Sequence, residues 1–273
     1  MTDALPACET LLLERRGRHL HVTLNRPETR NALSAGMVDE LGAVIDAVAG
    51  DRGLQSLVLR GAGGTFCAGG DISEFRSVYQ AGARPEDGPD PIAVSNRRYG
   101  RLMARLNGLP QTVVAVIEGA AFGGGLGLLC GSDVAICRAD ARLALSETGL
   151  GLLPAQIAPF VVQRIGLTQT RRLALTGARI DGEEAARLGL VHYACADAEA
   201  LEARLAAVLH DIGRCGPAAN AATKRILLDS LTLPLDVVLD QAAAAFAKAM
   251  RGAEAREGIA AFIERRAPYW RED

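Results

Sequence analysis

No pair of cysteines in this chain stands at a spacing that would hold a metal or form a redox couple. The six thiols (Cys8, Cys67, Cys130, Cys137, Cys195 and Cys215) include no C-x-x-C and keep no metal-like spacing to a histidine. They read as reduced, mostly buried thiols of a cytoplasmic protein. An excess of one charge is also missing: 30 basic and 32 acidic residues leave a formal net charge of -2. That balance excludes bulk attraction to nucleic acid or to an anionic membrane, so an anionic ligand must be held by local arginines. Between Met1 and Glu14 there is no basic start and no apolar run, so no signal peptide is expected. The uncharged stretch from Gly119 to Ser132 is too short and too glycine-rich to span a bilayer, which takes about 20 apolar residues.

The common cofactor and catalytic motifs are absent too. Neither glycine cluster fits G-x-G-x-x-G: after Gly61 and Gly63 the last position is Phe66, and after Gly125 and Gly127 it is Cys130. There is no G-K-[ST] loop, no H-E-x-x-H and no G-x-S-x-G elbow. The four histidines, His19, His21, His192 and His210, show no metal-like arrangement. His19 and His21 alternate along one strand face, as on an exposed edge.

What is present is a 273-residue chain, 49% hydrophobic and 23% charged, enough for one large domain with a sizeable core. His19–Leu24 and Ser56–Arg60 read as strands around an amphipathic helix from Gly36 to Ala49. Ala81 to Pro91 reads as a loop, and Ile92–Asn107 as a helix ending before Gly108 and Pro110. Thr112–Ile117, Asp133–Cys137, Arg142–Leu145 and Leu190–Cys195 read as further strands. Strands alternating with helices imply an α/β fold. After residue 197 the pattern is helical throughout: Leu201–Ile212, Pro217–Leu228, Leu235–Met250 and Ala253–Arg265. The division is therefore a core over 1–197 and a helical region for packing and assembly over 198–273.

Two glycine-rich segments, each downstream of an apolar strand, carry the chemical signal. They are Phe66-Cys67-Ala68-Gly69-Gly70-Asp71 and Ala121-Phe122-Gly123-Gly124-Gly125-Leu126-Gly127. The second opens onto a short helix, Gly125–Cys130, whose first N–H groups would point at the turn. Such segments serve either as tight turns and close-packing points, or as paired backbone donors to one developing negative charge. Glu147 follows, among Leu143, Leu145, Leu150, Leu152 and Leu153. It is either a solvated surface acid or a carboxylate whose pKa its surroundings raise toward neutrality.

The chain resembles the enoyl-CoA hydratase/isomerase (crotonase) superfamily along nearly its whole length. The stretches that carry the resemblance are Leu24-Asn25-Arg26-Pro27 with Asn31-Ala32-Leu33, then Phe66 to Ile72, then Gly119 to Asp133. Ser146-Glu147 with Gly149-Leu150-Gly151-Leu152 continues it, followed by Leu175-Thr176-Gly177, Glu184 to Val191, and Ala261 to Arg266. The resemblance implies a spiral of ββα units and a trimer-based oligomer, a trimer or hexamer, built on the C-terminal helices. It implies an acyl-CoA thioester as substrate, with coenzyme A part of that substrate and no separate cofactor or metal. The thioester oxygen would lie between the N–H groups of Gly70 and Gly124, with Glu147 as acid/base. Arg26, Ala32, Ala68, Asp71 and Ile72 would line the coenzyme A ester. Phe262 and Arg265 would reach its adenosine-phosphate end, often from a neighbouring subunit.

One position departs from that pattern. Hydratases of this family carry a second glutamate three residues after the second oxyanion glycine, where this chain has Gly127; Glu118, Glu74 and Asp71 are no assured substitutes. Glu147 would then either direct one water alone or move a proton between carbons as a double-bond isomerase. A non-catalytic acyl-CoA-binding homologue is the alternative of a different class. Gly124 to Leu128 and Leu152-Leu153-Pro154-Ala155-Gln156-Ile157-Ala158-Pro159-Phe160 resemble bacterial hydratases of branched glutaconyl-CoA esters. Within that group they lean toward isohexenylglutaconyl-CoA of acyclic-terpene breakdown before 3-methylglutaconyl-CoA of leucine breakdown. Such substrates carry a second carboxylate, for which Arg76, Arg84, Arg97 and Arg98 are candidates.

Overall fold

The computed structural model describes residues 5–74, 76 and 88–271. Arg84, and the expected loop from Ala81 as far as residue 87, lie outside the described residues. Strands β1 (Leu11–Arg16), β2 (His19–Leu24), β3 (Ser56–Gly61), β4 (Thr112–Ile117), β6 (Val134–Arg138) and β9 (Tyr193–Cys195) form a six-stranded sheet in the order β1-β2-β3-β4-β6-β9. Its pairings are parallel except for the antiparallel β1–β2 pair. Strands β5 (Ala120–Phe122), β7 (Arg142–Ala144) and β8 (Arg179–Asp181) form a second, three-stranded sheet. The chain alternates between the two. β4 enters the large sheet, β5 the small one, and helix Gly124–Cys130 follows. β6 and β7 repeat the step before helix Ala158–Thr176.

The large sheet is covered on both faces, and the period of two along its strands shows how. Leu57 and Leu59 of β3, with Val113, Ala115 and Ile117 of β4, belong to the main core. Helix Ala35–Gly50 packs there through Met37, Leu41, Val44, Ile45 and Val48, a 3.6-residue stripe capped by Ser34, whose Oγ accepts the Met37 N–H at 3.2 Å. The alternate residues Val58, Val114 and Val116 meet Leu201, Leu205, Val208 and Ile212 of helix Ala198–Gly213 on the other face. Burial on both faces is why the parallel strands read as unbroken apolar runs. Helices Pro217–Asp229, Leu235–Met250 and Ala253–Glu264 complete the chain and keep large apolar side chains exposed, among them Leu227, Phe246 and Phe262. Lys224 anchors the first of these to the sheet, donating to Asp133 Oδ2 at 2.6 Å and to the Gln111 carbonyl at 3.0 Å.

The histidine pair does not lie on an exposed edge, because β1 covers that side of β2. His21 is 6% exposed, and burial, with Arg16 next, lowers its pKa to about 4. His19 Nδ1 lies 2.8 Å from Ser56 Oγ. All six cysteines are free, and burial pushes Cys67, Cys130 and Cys137 up to about 12, which makes them inert packing groups. Among the described residues no helix is long and apolar enough to cross a membrane.

Candidate active site

Three neighbouring chain segments carry the candidate groups at their C-terminal ends. Cys67 forms a parallel bridge with Ala121 of β5, donating its N–H to the Ala120 carbonyl at 3.0 Å and accepting the Phe122 N–H at 2.9 Å. β5 in turn pairs in parallel with β7, with Phe122 opposite Ala144. Gly70 therefore follows the first segment, Gly124 the second and Glu147 the third. Ends of parallel strands are where α/β sheets present ligand sites.

The two expected donors share one backbone device. Gly70 and Gly124 each follow a buried glycine in the left-handed φ region, Gly69 at φ +100° and Gly123 at φ +49°. A side chain is excluded at both, since a Cβ on Gly69 would lie 3.1 Å from the Phe122 carbonyl oxygen and one on Gly123 2.8 Å from Glu147 Oε1. No acceptor among the described residues takes the Gly70 N–H. Gly124 is the first residue of its helix, so its N–H has no intrahelical partner.

Glu147 opens a 3-10 turn, Glu147–Leu150, just beyond β7. The Gly123 N–H donates to the Ala144 carbonyl at 3.0 Å, which holds the glycine turn against the strand leading to the glutamate. Its Oε2 is buried and has no hydrogen-bond partner among the described residues. Desolvation raises its pKa above the ordinary glutamate value. The leucines named from sequence account for only part of that. Leu143 and Leu145 are buried, whereas Leu150 and Leu153 face solvent, and the Gly123 turn lies close against the carboxylate.

The residues expected along the ester form one knot beside Gly70. Asn31, fully buried at φ +56°, accepts the Arg26 N–H and donates to the carbonyls of Ala62 and Thr65. The Arg26 guanidinium donates to the Ala32 carbonyl at 2.7 Å and to Asp71 Oδ2 at 2.9 Å. Asp71 also accepts from the Ser73 hydroxyl and N–H, and these bonds, Ser73 first and then Arg26, hold its pKa below the usual value. Arg26 and Asp71 thus shape this wall rather than offer free charges. Ala68 is half-buried and Ile72 is 66% exposed at the rim. Phe262 is 85% exposed and Arg265 caps its helix at φ +54°, so neither is packed into the glutamate site of its own chain.

Position 127 is filled rather than open. A Cβ there would collide with Ile157 Cγ2 and lie 3.1 Å from the Tyr99 hydroxyl. Neither acid named as a stand-in near Gly70 is free: Asp71 is held by Arg26 and Ser73, and Glu74 accepts the Ala35 N–H at 3.0 Å. Restoring the second acid by Gly127→Glu is accordingly expected to leave turnover no higher. It should lower stability by about 1–3 kcal/mol, the usual cost of overpacking, as read from denaturant midpoints. Tyr99, which the sequence reading passed over, reaches this spot from helix Pro91–Asn107 and donates to the Gly124 carbonyl at 2.6 Å. Of the four arginine candidates, Arg76 is exposed and Arg98 is paired with Asp39. Arg97 Nη1 and Gln156 Oε1 converge over Gly100, next to Tyr99.

Comparison with known proteins identifies the family. Residues 16–273 match the family model described as enoyl-CoA hydratase/isomerase. Pseudomonas aeruginosa AtuE superposes with a TM-score of 0.93 at 55% identity, covering 97% of this chain and 100% of that one. An enoyl-CoA hydratase/isomerase from Marinobacter aquaeolei gives a TM-score of 0.93 at 46% identity, with 97% and 100% covered. A probable enoyl-CoA hydratase of Bacillus subtilis is 31% identical over 251 residues, 92% of this chain and 94% of that protein. A family match over residues 16–273 and two superposable neighbours place the chain in the enoyl-CoA hydratase/isomerase family of enzymes.

Proposed function

We propose that this enzyme adds water across the α,β double bond of a branched glutaconyl-type acyl-CoA, isohexenylglutaconyl-CoA ahead of 3-methylglutaconyl-CoA. The observation that carries the reading is the unpartnered, buried Glu147 Oε2, on a carboxylate packed against the glycine turn that presents Gly124. As water oxygen bonds to the β-carbon, Glu147 takes one of its protons and the π pair moves through the α-carbon onto the thioester oxygen. The Gly70 and Gly124 N–H groups meet that charge, which is larger in the transition state than in the substrate. Glu147 then returns the proton to the α-carbon on the same face, so addition is syn. The step is redox-neutral, and coenzyme A enters as part of the substrate.

The branched dicarboxylic tail is supported by the Leu152 to Phe160 resemblance and by the convergence of Arg97 and Gln156 over Gly100. The exposed apolar side chains of the last three helices support assembly as a trimer or hexamer, in which Phe262 and Arg265 would serve a neighbour's coenzyme A. Double-bond isomerisation is the second reading, favoured by the single acid that Gly127 leaves. A panel of CoA esters graded by tail length and by the presence of a second carboxylate tests the substrate. The highest kcat/KM is expected for branched glutaconyl esters, with Arg97→Ala lowering it selectively for them. Equal rates on straight-chain monocarboxylic esters would contradict the assignment.

A further inference from the structure

We propose that the Tyr99 hydroxyl is the second acceptor for the attacking water and does the holding that an acid at position 127 would otherwise do. This rests on the hydratase reading. The Tyr99 oxygen stands 3.1 Å from where a Cβ at 127 would lie and 3.5 Å from where one at Gly124 would lie, on the side of the oxyanion turn. Its only proton is committed to the Gly124 carbonyl at 2.6 Å, so toward a reactant the phenol can act only as an acceptor. Glu147 Oε2 is a second acceptor at this turn, buried and without a hydrogen-bond partner among the described residues. A water carries two protons, and these two oxygens can take one each, leaving a lone pair for the β-carbon. Tyr99 is no rival base. Desolvation, with the thiol of Cys67 and the charge of Glu147 adding to it, pushes its pKa well above the phenol range. In the reaction the proton given to Glu147 is the one later delivered to the α-carbon. The proton facing Tyr99 stays on the oxygen and becomes the product hydroxyl hydrogen.

The alternative is that Tyr99 only steadies Gly124 and so acts through the oxyanion hole. Two reactions of the same enzyme separate these roles. Exchange of the α-protons of a saturated CoA thioester in D2O needs the hole and Glu147 but no attack at the β-carbon. With Tyr99→Phe, hydration kcat is expected to fall about 10²-fold, the scale of a misplaced reactant, with KM and α-proton exchange unchanged. Parallel loss of exchange and hydration would assign Tyr99 to the hole, and unaltered hydration would remove it from the mechanism; either overturns the proposal. Should Tyr99→Phe not fold, full-length enzyme made with 3-fluorotyrosine serves instead. Fluorination weakens the phenol oxygen as an acceptor and strengthens it as a donor to Gly124. Slower hydration with unchanged exchange supports the proposal, and unchanged or faster hydration overturns it. A wild type that exchanges but never hydrates would overturn the hydratase reading itself, and this role with it.

Discussion

Replacing Glu147 by glutamine is expected to lower hydration kcat by about 10²–10⁴-fold, the range typical of a lost general acid/base, while CoA-ester binding stays near the wild-type level. Glutamine keeps the shape that packs on Gly123 but cannot take a proton from water. The same substitution should not destabilise the enzyme. Glu147 has a raised pKa in the folded protein because burial opposes its charge. Its contribution to stability is thus fully present below the ordinary glutamate pKa and is lost as pH rises through the higher native value. Above that window the ionised carboxylate is a cost, which glutamine removes. The thermal midpoint of Glu147→Gln at alkaline pH is therefore expected to equal or exceed that of wild type. In wild type the acid limb of kcat/KM should lie above the usual glutamate value, because protonating Glu147 removes the base. Kinetics, calorimetry with a saturated ester and thermal melts at two pH values check these expectations.

Gly123→Ala is expected to damage both fold and rate. The residue sits at φ +49° and ψ -117°, a region closed to alanine, which costs about 1–3 kcal/mol. The new Cβ would also lie 2.8 Å from Glu147 Oε1 and 3.3 Å from its Cδ, so the carboxylate must move. A displacement of that size typically costs about 10² in rate. Gly149→Ala is the matched control: it lies in the turn that carries Glu147, and an added Cβ there has nothing within 4 Å. Its stability should stay within about 0.5 kcal/mol of wild type. Equal effects of the two substitutions on kcat would show that crowding at Gly123 is not what fixes the base.

The sequence made legible those elements whose period was clean. Strands His19–Leu24 and Thr112–Ile117 and helix Leu235–Met250 occupy the residues expected of them. Strand Leu11–Arg16 escaped notice because it is an edge, with charged and mostly exposed side chains in place of a buried alternation. Helix Ala158–Thr176 escaped because Pro159 and Gly166, the latter at φ +73°, interrupt its pattern. Contacts from elsewhere hold it, with Arg164 donating to the carbonyls of Ser132 and Leu190. At the site, Gly70, Gly124 and Glu147 were readable as types, but the pairing of Cys67 with Ala121 that gathers them is non-local and has no sequence signature. Tyr99 had a faint one. It lies at i, i+4 and i+7 with Met103 and Leu106, both buried, so it points inward on an otherwise exposed helix end.

Delivery of water by Glu147 to an enoyl thioester held by Gly70 and Gly124 is the proposed step. Its most direct test is the mass of the product formed from a branched glutaconyl-CoA ester in ¹⁸O-labelled water. The account predicts the gain of one labelled water with the wild type and no gain with Glu147→Gln. Unchanged mass with a moved double bond, release of free CoA or CO₂, or undiminished hydration by Glu147→Gln would contradict it.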